Sequence, residues 1–286
     1  MSSDASVPTI LVHGGAGWRD DAANLPAAVA ACEQAATAGH RVLLDGGSAL
    51  DAVEAAVRAL EDEPVLNAGV GSCRTSTGDV EMDALIMDGA SLALGAVAAI
   101  TRVLHPISLA RRVMSDTPHT FLAGEGASVF ADRIGFPRCA PEDLIVQRDA
   151  PPSVGDTVGA VALDASGMLA TAVSTGGIPG KLPGRVGDSP LVGSGAYANA
   201  AVAVGATGDG EAIMKLVLSK HVADLVRGGR SPQESCVVGI ELLDTFGSHG
   251  GLIALDVAGS VGIAFNTAAL PHAYAIGNDQ VRASAK

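Results

Sequence analysis

The chain of 286 residues reads as a layered protein in which sheets are covered by helices. Apolar strands fall into hairpins with pairs of helical segments between them, a pattern that fits poorly with strict β-α-β alternation. Aromatic residues make up only 3% of a chain that is 48% hydrophobic, so the core must be built from Ala, Val, Leu and Ile, which suits closely packed sheets and Ala-rich helices. The 36 glycines cluster with small polar residues in short runs without a fixed period, which marks tight turns and close backbone approaches. The length suits one large domain, residues 1–286.

The elements follow in chain order. Thr9 to Val12 is a short apolar strand, and His13-Gly14-Gly15-Ala16-Gly17 is a tight turn behind it. An Ala-rich helix runs from about Pro26 to Val42. A second helix starts at the N-cap Ser48, with Asp51 at the capping-box position. Its Leu50, Val53, Val57 and Leu60 share one face, and Pro64 closes it. Asp79 to Asp88 alternates, which predicts a strand with Val80, Met82, Ala84 and Ile86 on one buried face and Glu81, Asp83 and Leu85 on the other. Leu92 to Ile100 is a further strand and Ser108 to Met114 a helix. Residues Arg138 to Gly155 carry Pro141, Pro151, Pro152 and several charges with little periodicity, and predict an exposed linker.

Beyond it, Thr157 to Leu163 and Met168 to Ser174 are strands of a hairpin around Asp164-Ala165-Ser166-Gly167, and Gly251 to Phe265 is a second hairpin turning at Val257-Ala258-Gly259. Between them lie a helix from about Glu211 to Val226 and another opened by Ser231-Pro232 with Glu234 at its third position.

The formal net charge of −13, with no Lys/Arg cluster to offset it, argues against nucleic acid and against an anionic membrane surface as partners. The scattered cysteines Cys32, Cys73, Cys139 and Cys236 favour buried, reduced thiols over a disulfide frame or a zinc site. The N-terminal MSSDASVPT has no basic or apolar leader pattern and no apolar run reaches membrane length, so the cytoplasm is the expected location.

The chemistry concentrates between Gly155 and Pro190. A threonine hydroxyl is a weak nucleophile without a base beside it, and the α-amino group of an N-terminal threonine is such a base, with a reference pKa of about 8. Asp156-Thr157 stands where self-cleavage would create one. Cross-strand partners in the hairpin have numbers summing to about 331 or 332, and the second value sets Thr157 beside Thr175. A slip of one residue would put them on opposite faces. Arg185 and Asp188 lie on a Gly-flanked loop and could take the carboxylate and ammonium of an amino-acid end group, or form a surface ion pair or a turn cap. Ala206 to Glu211 leads into a helix, and its backbone amides with Thr207 could stabilise an oxyanion, though a plain glycine-rich turn is the better reading of so short a motif by itself. His13 is better placed as a structural histidine than as a catalytic one, and no histidines have metal-ligand spacing.

HGGAG at 13–17, LNAGVGS at 66–72, EMDALIMDG at 81–89, DTVGAVALD, STGG, GKLPGRVGDSP and ATGDGE occur in this order along nearly the whole chain. Together they resemble the plant-type L-asparaginase and isoaspartyl aminopeptidase family of N-terminal-nucleophile hydrolases, which includes glycosylasparaginases and taspase. The resemblance implies an α+β fold, a four-layer αββα sandwich, and a precursor that self-cleaves into an α chain 1–156 and a β chain 157–286, with two such αβ units forming a heterotetramer. It implies hydrolysis of L-asparagine and β-aspartyl dipeptides with Thr157 as nucleophile and Thr175 as the supporting threonine. Arg185 and Asp188 would anchor substrate, Thr207 and Gly208 would form the oxyanion hole, and Gly210 would belong to the same loop. No organic cofactor is implied. The carbonyls of Leu60, Glu61, Glu63, Leu66, Ala68 and Val70 resemble a loop that holds a structural sodium ion. Asp156 stands where many asparaginase-type members have Gly, Gly180-Lys181 replaces a frequent Asn-Lys, and the linker before Thr157 is short. A glycosylasparaginase-like or taspase-like activity, or an uncleaved binding module, are the alternatives.

Overall fold

A computed structural model describes residues 6–17, 23–146 and 157–286. The elements run β1 (Thr9–His13), α1 (Leu25–Leu44), α2 (Ala49–Glu61), β2 (Met82–Asp88), β3 (Leu94–Ile100), α3 (Pro106–Asp116), β4 (Phe121–Ala123), α4 (Gly124–Arg133), β5 (Val158–Leu163), β6 (Leu169–Thr175), β7 (Ala196–Ala198), β8 (Val202–Gly208), α5 (Gly210–Leu216), α6 (Leu218–Arg227), α7 (Pro232–Thr245), β9 (Gly250–Asp256), β10 (Val261–Phe265), β11 (His272–Ile276) and β12 (Arg282–Ser284). Eight strands form one sheet in the order β12-β11-β1-β5-β6-β2-β3-β4, and four form a second in the order β10-β9-β8-β7.

Strand alternation divides the apolar residues among three clusters. Ile10, Val12, Ala160, Ala172, Met82 and Ile86 pack from the large sheet against α1–α4. Leu11, Val161, Val173, Leu85 and Met87, on the opposite face, meet Ala203, Ile253 and Leu255 of the small sheet. Val204, Ala206, Leu252 and Ala254 then meet α6 and α7 through Leu218, Val222, Ile240 and Leu243. This corrects the reading of β2 as a strand with one buried face. Asp83 and Leu85 are fully buried too, because a second sheet covers the face that alternation alone would leave to water.

The helix starts follow their capping residues. Ser48 Oγ accepts the Asp51 amide at 3.1 Å, and Ser231 and Glu234 form a reciprocal capping box at the head of α7. The Gln233 side chain, on the second residue of α7, donates to the Ile263 carbonyl and accepts the Ile263 amide on β10, an outer strand of the small sheet. The predicted single helix from Glu211 to Val226 is two helices, broken at Val217 with φ 48°. There the Lys220 amide donates to the Gly193 carbonyl at 2.8 Å, so the head of α6 is bonded to a loop instead of continuing α5. The first part of the predicted exposed linker from Arg138 is instead structured. Pro141–Leu144 is a 3₁₀ turn, Leu144 is buried, and its carbonyl accepts the Gly71 amide at 2.9 Å. Residues 147–155 of that linker, and Asp156, lie outside the described residues.

The hairpin β5–β6 pairs Val158 with Ser174 through to Leu163 with Leu169, the register that sums to 332. At its turn Asp164 Oδ1 accepts the Ser166 and Met168 amides while Oδ2 accepts the Ala49 amide at the head of α2. Its carboxylate therefore fixes the turn and a helix N-terminus together.

Candidate active site

The open end of the hairpin carries both threonines to one place. Thr157 directly precedes β5 and Thr175 closes β6, and both are buried. Together with Arg185, Asp188, Gly208 and Gly210 they line a single cavity, which Gly177, Ile178 and Gly187 complete. Six of the residues singled out in the sequence thus line one cavity. Thr207 lies one residue behind Gly208 in β8, buried and paired with Gly251, and Gly208 is the residue of that pair at the cavity.

Thr157 Oγ1 is 3.3 Å from Ser189 Oγ, a buried hydroxyl that the sequence reading passed over inside GDSP. Thr175 Oγ1 accepts the Gly177 amide at 3.0 Å. The Gly177 carbonyl in turn accepts from Asn67 Nδ2 at 2.7 Å, and the Gly176 amide donates to the Asn67 carbonyl. Asn67, the second residue of LNAGVGS, thereby ties the turn after β6 to the loop after α2. The only sequence signal for it was that motif.

Arg185 is held by Glu211, which the sequence reading also missed. Arg185 Nε and Nη2 donate to Glu211 Oε1 at 2.9 and 2.8 Å, and Nη2 also reaches Oε2 at 2.8 Å. This side-on grip leaves the Nη1 end of the guanidinium near Gly187, where an added Cβ would lie 2.9 Å from Nη1. Asp188 is buried beside it, and its Oδ2 has no hydrogen-bond partner among the described residues. Burial pushes its carboxyl up to about 7, against the pull of its own backbone amide and of the Arg185 charge. An incoming ammonium would supply the missing partner and favour the ionised form. Gly210 allows this crowding: a Cβ there would sit 2.8 Å from Asp188 Oδ1 and 3.1 Å from Arg185 Nη2.

His13 is fully buried between the sheets, where Gly159 makes room for its ring. Burial pulls its pKa down to about 3, opposed by a backbone contact with Thr157, so the ring is neutral near pH 7.

The loop Leu60 to Val70 folds back on the end of α2. The Val70 amide donates to the Glu61 carbonyl and the Leu66 amide to the Glu63 carbonyl. Around Gly69 the Glu61 and Leu104 carbonyls come within 2.3 and 2.8 Å of where a Cβ would sit, a backbone cradle open only to glycine. Neutral carbonyls with a lone pair to spare fit a hard cation of low charge. The Glu61 carboxylate accepts the Ile107 amide and lies 3.4 Å from His105. No cluster of three or more His, Cys, Asp or Glu suited to a metal occurs among the described residues. Nor, among them, is any helix long and apolar enough to cross a membrane. The four cysteines are free and buried.

Comparison with known proteins defines the class. Residues 6–150 and 147–283 match the family model described as asparaginase. The isoaspartyl peptidase/L-asparaginase of Mus musculus is 41% identical, over 99% of this chain and 91% of the mouse protein. The plant-type L-asparaginase of Pyrococcus horikoshii is 42% identical, over 93% of this chain and 95% of its own length. The isoaspartyl peptidase of Salmonella typhimurium is also 42% identical, over 94% and 96%. The protein is therefore a hydrolase. More narrowly, the chain belongs to the asparaginase family that these relatives share.

Proposed function

We propose that the chain is a self-processing threonine amidohydrolase acting on L-asparagine and β-aspartyl dipeptides. The observation that carries this reading is the meeting on one cavity of the Thr157 hydroxyl, the Arg185 guanidinium and the Asp188 carboxylate, whose Oδ2 has no hydrogen-bond partner among the described residues. A small zwitterion bound by its carboxylate at Arg185 and its ammonium at Asp188 would present its side-chain carbonyl to Thr157. The names of the relatives support the substrate class.

In the precursor, the Thr157 hydroxyl attacks the Asp156 carbonyl. The C–N bond breaks as the ester C–O bond forms, and the hydroxyl proton goes to the departing nitrogen. Water then hydrolyses the ester, leaving an Asp156 carboxylate and a free Thr157 amine. In the mature enzyme that amine, with its reference pKa of about 8, takes the hydroxyl proton as Oγ1 attacks the substrate amide. Ammonia or an amino acid leaves, and water releases aspartate from the acyl-enzyme. Thr175 and Ser189 orient the nucleophile, and the Thr207–Gly208 end of β8 faces the developing oxyanion.

The three stacked apolar clusters support the αββα four-layer arrangement. Two αβ units would associate as a tetramer in the cytoplasm. A sodium ion would be held by the carbonyls of Leu60, Glu61, Glu63, Leu66, Ala68 and Val70, where it would stiffen the loop that Asn67 joins to Gly177.

Intact mass and N-terminal sequencing of the purified protein test the reading. The expected result is two chains, the second beginning at Thr157 with 130 residues (286 − 156), alongside ammonia release from L-asparagine and turnover of β-Asp-Leu. Full turnover by an uncut chain overturns it.

A further inference from the structure

Glu81, Asp83 and Lys181 belong to two of the motifs, EMDALIMDG and GKLPGRVGDSP, yet none lines the cavity or enters the reaction above. Their contacts converge on Arg185. Glu81 Oε2 accepts the Gly184 amide at 2.7 Å. Asp83 Oδ2 accepts the Gly187 amide at 3.4 Å. These two amides flank Arg185 on either side. Lys181, 3% exposed, donates from Nζ to the Glu81 carbonyl at 2.7 Å. It is thus held under the same stretch of chain, with its charge close enough to act on both carboxylates.

The anchor of the arrangement is Asp83. It pairs with Thr175 across β2 and β6, and its Oδ1 accepts the Ala99 amide of β3 at 2.8 Å. Burial drives the Asp83 carboxyl up and the Lys181 ammonium down, and the attraction between the two opposes both shifts. A carboxylate and an ammonium this deeply buried cost stability unless both are paired. Here they lie between the strand that neighbours Thr175 and the loop that carries Arg185.

We propose that Glu81, Asp83 and Lys181 are positioning residues: a clasp that fixes residues 181–188 against β2 and so aims Arg185 at the substrate carboxylate. The inference rests on the reading of Arg185 as the carboxylate anchor. It makes these residues determinants of specificity for substrates with a free carboxylate, without contact with the substrate.

Two measurements on the full-length protein test it. Amide hydrogen exchange reads Gly184 and Gly187 directly, and steady-state kinetics on L-asparagine reads the consequence. In Glu81→Ala, loss of a charge-assisted bond should speed exchange at Gly184 about tenfold, raise KM about tenfold and leave kcat within about twofold. Glu81→Gln keeps an acceptor oxygen and should recover most of both effects. Asp83→Asn should speed exchange at Gly187. In an Arg185→Ala background, Glu81→Ala should add nothing to KM. Unchanged exchange at both glycines overturns the clasp, and so does a fall in kcat with KM unmoved, which would mark a disturbance of the nucleophile. If the wild-type protein turns over neither L-asparagine nor β-Asp-Leu, the functional reading fails. The exchange measurement still decides the clasp, since faster exchange keeps it and unaltered exchange removes it.

Discussion

The hairpin β5–β6 and the loop after it, residues 176–195, both line the cavity and are held in place by different means. The hairpin is a backbone ladder in the middle of the large sheet, buried along both strands. The loop has three glycines with left-handed φ before Arg185. Scattered backbone bonds hold its ends, such as the Gly180 amide to the Arg74 carbonyl and the Lys220 amide to the Gly193 carbonyl, and side chains from elsewhere reach it: Asn67, Glu81, Asp83 and Glu211. One glycine from each shows a different reason for glycine. Gly159 in β5 is required by space, since a Cβ would come 2.5 Å from His13 Nε2. Gly184 in the loop has open space around it but φ of +80°. Strand register sets where the nucleophile sits, and imported contacts set where the substrate anchor sits. Damage to the first should appear in bond cleavage, and damage to the second in substrate binding.

The largest expected effect is Thr157→Ala, which should leave one uncut chain on a denaturing gel and lower turnover by at least about 10⁴-fold. Two fragments from that variant would break the comparison at its root. Arg185→Ala comes next: it should raise KM by the worth of a charged hydrogen bond, about 2–3 kcal/mol, with kcat changed far less. A loss confined to kcat would place Arg185 on the hairpin's side of the comparison.

The pH dependence of KM should separate the two regions further. Asp188 has its folded pKa raised to about 7, so below that pH it is protonated and cannot pair with the substrate ammonium. KM should fall as pH rises from 6 to 8, and Asp188→Asn should raise KM about tenfold and abolish that change. The unliganded protein should show the reverse trend in stability. An unfolded aspartate ionises near 3.9, so between about pH 4 and pH 7 the folded state holds more protons. The Asp188 contribution therefore declines as pH rises through that window, and the Asn variant should lack that slope in its melting temperature.

The smallest effects concern the two glycines. Gly159→Ala should cost about 1–3 kcal/mol through overpacking against His13, and Gly184→Ala about 1 kcal/mol through its left-handed torsion. Melting curves rank them; a larger loss at Gly184 would contradict the division between space and torsion.

Much of this division was legible in the sequence. Alternation and turn chemistry around Asp164 gave the hairpin, and one of its two candidate registers is the one observed, because a two-sided strand between covered faces tolerates no slip. The caps at Ser48 and Ser231 worked for the same reason: they are local. Short or edge strands such as β4, β7 and β12 have too few residues for a period to show. The burial of Asp83 depends on a sheet brought up by distant residues, and Glu211 and Ser189 acquire their partners through loops that place them there. Long-range contacts of this sort carry no periodic signature, so only the motifs hinted at them.

The strand order has a consequence for what cleavage does. β1 lies between β11 and β5, while β5 and β6 lie between β1 and β2. The two halves of the chain therefore alternate within one sheet. A cut before Thr157 would release a chemical end but no separable body. Each fragment alone would carry bare strands meant to pair with the other, so the mature protein, once denatured, would refold only by co-assembly, in competition with precipitation. The uncut precursor is the form in which both halves find each other at the effective concentration of a single chain.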